Sequence, residues 1–207
     1  MKRIESDIPI LNPHFMGSWF IEPLSLCEDL ISFFETHQEN QTQGQTAGGL
    51  NLDSKNSTDL AIRPRDLELP EYKPVRDYMD ALFECHKDYL EQWPFLKTIM
   101  ERVEIGSFNI QKYEPGGHFL KVHSERTTVG TSQRVLVWMT YLNDVDDGGA
   151  THFVHQDLDV QPQRGKTIIW PAEWTHAHQG WVLNSGSKYI ITGWVHFPPD
   201  KSGQVQR

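Results

Sequence analysis

The sequence predicts an α+β protein in which two helices come first and a series of short antiparallel strands follows. Three observations predict it. Two stretches within the first 100 residues repeat apolar side chains at helical spacing. From about residue 103 the pattern changes to alternation and short apolar runs divided by turn residues, the sign of a β sandwich or barrel. Helices and strands are segregated along the chain, so the helices are expected against one outer face of the β core.

Taken in order, residues 8–21 are apolar with Pro and Gly breaks, and a short strand is expected near Trp19–Ile21. Ser25-Leu-Cys-Glu28 reads as a capping box, with Ser25 at the N-cap and Glu28 three residues on. Leu26, Leu30, Phe33 and Phe34 then recur at helical spacing, predicting a helix over 25–37 with Phe33 and Phe34 in the core. Residues 38–60 are polar, aperiodic and glycine-containing, and read as a long loop, either a surface loop or a lid. Pro74 suits the first turn of a second helix over 74–92. Its apolar stripe runs through Val75, Tyr78, Met79, Leu82, Phe83, Tyr89, Leu90 and Trp93, and His86 beside it is read as a packed histidine. Strands follow at 103–113, 134–142, 150–153, 158–162, 167–170 and 188–197, with turns at Asn143–Gly149 and Arg164–Lys166. The chain is therefore read as a single domain, 1–207. A helical support region occupies 1–100, including the polar loop at 38–60, and the β core occupies 101–197.

Composition narrows the function. Twenty-eight acidic against 19 basic residues give a net charge of −9 with no Lys/Arg block, which disfavours nucleic-acid and acidic-membrane partners. No stretch is long and apolar enough to span a bilayer, and no apolar run follows Met1-Lys-Arg to suggest a signal peptide. Two cysteines, Cys27 and Cys85, without a Cys-x-x-Cys pattern fit a reducing compartment and leave their pairing open. The expected location is the cytoplasm, or the host cytoplasm if a phage encodes the chain.

The chemistry concentrates around Tyr113-Glu-Pro-Gly-Gly-His-Phe-Leu-Lys-Val-His123-Ser-Glu125. Residues i and i+2 of a strand share a face, so His123 and Glu125 can aim an imidazole and a carboxylate at one point. Trp174-Thr-His-Ala-His178 offers a further imidazole from His178 or His176. Two histidines and a carboxylate on one side of an ion leave the opposite positions open, as in non-haem Fe(II) oxygenases. Lys188 lies in an otherwise apolar strand and, facing inward, needs an anion.

These residues carry a resemblance. The order and spacing of Tyr113-x-x-Gly116-Gly-x-Phe119-x-x-x-His123-x-Glu125, Tyr141-Leu-Asn143, Gly148-Gly-Ala-Thr151-x-Phe153, Arg164-Gly165-Lys166, His178 and Lys188-Tyr-x-x-Thr192-x-Trp194 are similar to those of the Fe(II)/2-oxoglutarate-dependent dioxygenases. The prolyl 4-hydroxylase-like branch, with its bacterial and phage members, is the nearer match. The resemblance implies a double-stranded β-helix, or jelly roll. It implies Fe(II) on His123, Glu125 and His178, with Lys188, ten residues after His178, favouring that histidine over His176 and pairing with the distal carboxylate of 2-oxoglutarate. Tyr113, Tyr141 and Thr192 match positions lining the cosubstrate pocket, where their hydroxyls are expected to donate to carboxylate oxygens. Trp194 matches an aromatic near the site.

The implied reaction consumes O2 and 2-oxoglutarate, with ascorbate as a possible aid. It releases succinate and CO2 and hydroxylates a C–H bond, in this branch a prolyl C4 of a protein or peptide. As a lid, the 38–60 loop with its Lys55-Asn-Ser-Thr-Asp59 would cover a peptide groove; deleting residues 40–52 is then expected to raise the apparent KM for peptide and spare iron binding. A free amino acid or other small molecule is the alternative substrate, and a non-catalytic jelly-roll binding module the alternative of another class. Oligomeric state is not readable. One departure stands out: the family's usual His-x-Asp is here His123-Ser-Glu125, whose extra methylene moves the carboxylate by about one C–C bond, ~1.5 Å. A retained carboxylate points to hydroxylation, since family halogenases replace it with a small residue.

Overall fold

The structure is a computed structural model that describes residues 14–46 and 48–198. The reading of the first residues as free of a signal peptide, and of the apolar stretch from residue 8 as far as residue 13, lies outside the described residues. Strand β1 (Gly17–Phe20) leads to helix α1 (Ser25–Thr36). Strands β2 (Gln41–Gln43), β3 (Lys55–Asn56) and β4 (Thr58–Ile62) precede helices α2 (Lys73–Gln92) and α3 (Leu96–Ile99). The β core follows as β5 (Glu104–Ile105), β6 (Phe108–Tyr113), β7 (His118–His123), β8 (Arg134–Tyr141) and β9 (Thr151–Phe153). It ends with β10 (Leu158–Val160), β11 (Lys166–Pro171), β12 (His178–Gly180) and β13 (Lys188–His196).

Among the described residues all strand pairings are antiparallel and make two sheets. The larger runs β1-β11-β8-β13-β6-β4-β2, with β5 against the far end of β13; the smaller runs β10-β9-β12-β7-β3. This is the α+β jelly roll expected. Its layers follow from residue parity. Strand β8 is buried on both faces and reads as a nearly unbroken apolar run. Leu136 and Trp138 face one core, shared with α1 and α2, while Val137, Met139 and Tyr141 face a second core against the smaller sheet. Strand β13 divides the same way, Ile191 and Val195 toward the helices and Ile190 toward the smaller sheet. Lys188, Thr192 and Trp194 share the parity of Ile190, so the fold delivers them to the space between the sheets.

Helix α2 presents Val75, Tyr78, Met79, Leu82 and Tyr89 of its predicted stripe to the core, with Leu90 and Trp93 partly buried beside them, whereas Phe83 is turned outward and exposed. Tyr78 Oη lies 2.7 Å from Thr140 Oγ1, and Thr140 Oγ1 lies 2.6 Å from Thr167 Oγ1, a buried hydroxyl chain from α2 across β8 to β11. Helix α1 is tied to the sheet at Glu35, which accepts from Tyr189 Oη at 2.6 Å and Lys112 Nζ at 3.0 Å. Cys27 and Cys85 are free, and burial pushes each thiol up to about 11. No helix among the described residues is long and apolar enough to cross a membrane.

Three expectations are corrected. The capping box does not form: Leu24 is the N-cap, without a side-chain bond, and Ser25 is already helical. Glu28 is drawn instead to Arg164 at 2.8 Å, and the Leu26 and Cys27 N–H groups donate to the Pro23 and Leu24 carbonyls. Residues 38–60 are not one loop, because β2, β3 and the start of β4 lie within them. Strand β2 pairs on β4, β4 on β6 and β3 on β7; β2 and β3 are two or three residues long and add no apolar side chain to the core, so periodicity did not register them. The strand expected over 103–113 breaks at Gly106-Ser107 into β5 and β6.

Candidate metal and cosubstrate site

A cavity of about 550 Å3 opens between the two sheets. His123, the last residue of β7, and His178, the first of β12, are direct cross-strand partners. Their rings lie 4.4 Å apart between centroids. Strand β7 ends at His123, so Glu125 does not sit on the strand as the two-residue spacing suggested; it lies in the bend that follows. It converges with the histidines nonetheless: one ligand atom from each of His123, Glu125 and His178 lies within 4.8 Å of the others.

The hydrogen bonds orient these groups. His123 Nδ1–H donates to the Lys121 carbonyl at 2.8 Å and His178 Nδ1–H to the His176 carbonyl at 2.9 Å. Each ring thereby keeps its lone pair on Nε2, and those atoms face Glu125 Oε1 at 3.4 and 3.7 Å. Three acceptors aimed at one point repel one another unless a positive charge lies among them, either a proton on an imidazole, which is how the histidines act on Glu125 in acid, or a metal ion. Two neutral imidazoles and a carboxylate are a donor set that suits Fe(II). Apolar rings enclose it: Phe119 stacks on His123 at 4.0 Å, and Phe153 and Trp170 flank His178 at 5.4 and 5.3 Å. Burial, with the neighbouring His123, lowers His178 to about 4, so its lone pair is free at neutral pH. Burial works to raise the Glu125 carboxyl, but His123, His178 and Arg134 overcome it and hold it at about 2.

Lys188 is 3% exposed and lines the same cavity. Its Nζ donates to the Gly149 carbonyl at 2.8 Å and lies 4.3 Å from the centre of the Tyr113 ring. Among the described residues it forms no ion pair, and burial lowers it to about 7. A buried amine with spare donors and no acidic partner fits a carboxylate-bearing ligand. Gly149 makes room for it: its φ is +69°, and a Cβ there would meet Lys188 Cδ at 3.2 Å.

The remaining expected pocket residues are placed unevenly. Tyr113 and Thr192 line the cavity, but Tyr113 Oη donates to Gln111 Oε1 at 2.7 Å and Thr192 Oγ1 to the Trp138 carbonyl at 2.9 Å. Tyr141 does not line the cavity. It is fully buried, with its hydroxyl 2.7 Å from Thr151 Oγ1 and 3.1 Å from the Val160 carbonyl. All three hydroxyl protons are thus engaged within the protein, in place of the expected donation to a ligand. Trp194 Nε1 donates to Glu125 Oε2 at 2.9 Å. His176 points away and bonds the His14 carbonyl through Nε2 at 2.8 Å. Trp181 bonds Asp159 and packs on His152 outside the cavity.

Sequence reasoning missed two cavity residues of note, Arg134 and Gln111. Arg134 reaches Glu125 Oε2 at 3.2 Å. Gln111 is buried in β6, whose mixed sequence Phe-Asn-Ile-Gln-Lys-Tyr did not single it out. Lys55 and Asp59, expected only in a polar loop over a peptide groove, line the cavity as a buried pair at 2.6 Å, with Ser57 Oγ donating to Asp59 Oδ1 at 2.7 Å.

Comparison with known proteins agrees with this architecture. A family model described as the 2OG-Fe(II) oxygenase superfamily matches residues 108–196. Human prolyl 4-hydroxylase subunit alpha-1 is 24% identical over 106 residues, 46% of this chain and 20% of that protein. A probable prolyl 4-hydroxylase 9 of Arabidopsis thaliana is 25% identical over 134 residues, covering 52% and 46%. This chain thus spans about a fifth of the human relative's length. Among solved structures, a Pseudomonas putida prolyl-4-hydroxylase superposes with TM-score 0.66 at 16% identity, covering 89% and 94% of the two chains. A Trichoplax adhaerens prolyl hydroxylase, in complex with a peptide fragment of the hypoxia inducible factor oxygen degradation domain, gives 0.69 at 13% identity, covering 90% and 85%.

Proposed function

We propose that this chain, whose residues 108–196 belong to the 2OG-Fe(II) oxygenase superfamily, hydroxylates a prolyl residue of a protein or peptide with 2-oxoglutarate as cosubstrate. The observation that carries the reading is the meeting, in one cavity, of the His123–Glu125–His178 cluster and the buried, acid-free Lys188. Either feature alone has an ordinary structural explanation; together they match a cation and a dianion that must lie side by side.

His123 and His178 would hold Fe(II) through Nε2, and Glu125 through a carboxylate oxygen. The bound iron and cosubstrate supply the oxidising chemistry, with O2 consumed and succinate and CO2 released. The chain's own part is to bind, orient and exclude water. The carbonyls of Lys121 and His176 fix the two imidazoles. Phe119, Phe153 and Trp170 keep their surroundings dry. Lys188, protonated, receives the distal carboxylate of 2-oxoglutarate and sets its direction in the cavity. The prolyl specificity rests on the likeness to prolyl hydroxylases, one of them with a peptide bound.

The test is succinate formation from 2-oxoglutarate with Fe(II), ascorbate and O2, with and without proline-rich peptides, for the wild type and for His123→Ala and Glu125→Ala. Turnover that needs both residues and rises with peptide, together with the gain of one oxygen in peptide mass, is the expected result. Turnover indifferent to peptide would move the substrate to a small molecule such as a free amino acid. A wild type that binds no iron would leave a non-catalytic binding module.

A further inference from the structure

The glutamate at position 125 carries one methylene more than the aspartate usual in the family, and the structure gives its two oxygens different partners. Oε1 faces His123 Nε2 at 3.4 Å and His178 Nε2 at 3.7 Å. Oε2 turns the other way, accepting from Trp194 Nε1 at 2.9 Å and Arg134 Nη1 at 3.2 Å. Arg134 Nη1 also lies 3.2 Å from the Glu125 carbonyl, and its guanidinium stacks on the Trp194 ring at 3.7 Å from the centroid. The three side chains therefore brace one another, on the bend after β7, the start of β8 and the end of β13.

We propose that Trp194 and Arg134 are positioning residues that confine Glu125 to ligation through Oε1 alone, in a clamp spaced for the glutamate arm. The inference rests on the metal reading above. A free glutamate past the end of a strand can rotate, chelate with both oxygens, or swing out of the site; two directional donors on Oε2 remove those options. The clamp also explains how a carboxylate ~1.5 Å longer than the usual one is accommodated. The added length is taken up by setting Oε2 back against β8 and β13. An aspartate here can reach the histidines or the clamp, but not both.

The test is a Co(II) titration, with the metal alone, followed by the visible ligand-field absorption of the cobalt. Wild type, Trp194→Phe, Glu125→Asp, the double variant and His178→Ala are compared, with thermal melting of the metal-free proteins as a check on folding. Phenylalanine keeps a ring under Arg134 while removing the indole N–H. Wild type is expected to bind one Co(II) per chain. Trp194→Phe should weaken binding about tenfold, the lower end for loss of a partner behind a ligand, and its absorption should lose intensity as the freed second oxygen raises the coordination number. Glu125→Asp should weaken binding about tenfold in the wild-type background and cost little further when Trp194 is already Phe.

Trp194→Phe with unchanged affinity and spectrum would overturn the clamp, as would two costs that simply multiply. If Trp194→Phe does not fold, Arg134→Gln is read the same way, with weaker binding expected and unchanged binding overturning the proposal. A wild type that does not bind Co(II), or a His178→Ala that binds as well, would overturn the metal reading and the clamp with it. Tight wild-type binding that is lost in His178→Ala but indifferent to Trp194 and Arg134 would leave the metal reading standing and remove only the clamp.

Discussion

Lys188 is the side chain whose ionisation the fold disturbs most usefully. Burial lowers its ammonium to about 7, against about 10.4 in an unfolded chain. Between those values the unfolded chain holds a proton that the folded one has released, so stability rises with pH across this window. Below about 7 both forms are protonated and the contribution to the slope vanishes. The metal-free protein is therefore expected to resist urea better at pH 9 than at pH 7, and Lys188→Met should flatten that difference. A neighbouring carboxylate restores the ammonium, so 2-oxoglutarate should bind with proton uptake near pH 8. Calorimetric heats that vary with the ionisation enthalpy of the buffer would report it; heats independent of the buffer would place the distal carboxylate away from Lys188. At this scale the sequence was informative because chemistry-bearing residues are conspicuous where they do not belong. A lysine among Tyr-Ile-Ile-Thr is one such residue. The hydroxyls of Tyr113, Tyr141 and Thr192 are not, since hydrogen-bond partners brought by the fold decide where their protons go.

Elements come together here through a few polar staples as well as apolar faces. The Tyr78–Thr140–Thr167 chain joins α2 to the middle of the larger sheet in a fully buried setting. Tyr78→Phe removes one hydroxyl and leaves Thr140 its bond to Thr167, so a loss of about 1 kcal/mol is expected in urea unfolding, with Co(II) affinity unchanged. The Lys55–Asp59 pair at 2.6 Å should behave differently. Lys55→Met strands a buried carboxylate that retains only Ser57, and about 3–5 kcal/mol should be lost; Lys55→Met with Asp59→Leu should recover most of it. A cost below about 1 kcal/mol for the single variant would mean that Asp59 finds water or another partner.

Legibility from sequence divided along the same line. Helix α2 and strands β8 and β13 were readable because their own apolar pattern records which faces are covered. Strands β2, β3 and β12 were not, being two or three residues long and held by pairing with distant partners. Yet β12 is what sets His178 opposite His123. The local helix-start signal at Ser25 failed because a residue 136 positions away, Arg164, competes for Glu28.

Across the whole molecule, the cavity is built by two unlike parts of the chain. The segment matched by the family, 108–196, supplies His123, Glu125, His178 and Lys188. The opposite wall, with Gln45, Thr46, Lys55 and Asp59, comes from β3, β4 and the connection before them, outside that segment. On the proposed reading the matched part holds the metal and cosubstrate, so discrimination between substrates is expected from the unmatched wall. A deletion of 40–52 would test this poorly, since it removes β2 from the sheet. Replacing 45–53 with three glycines spares every strand, and three residues reach roughly 10 Å. The expected outcome is an apparent KM for peptide raised about tenfold, equivalent to about 1.4 kcal/mol of lost contact, with Co(II) affinity and the KM for 2-oxoglutarate unchanged. Because the proposed metal and cosubstrate ligands all lie in the other part, a parallel loss of Co(II) binding would mean that the wall supports the site mechanically. Unchanged peptide kinetics would mean that the peptide is recognised on the other rim, where Arg126 pairs with Glu173 beside the exposed Trp174.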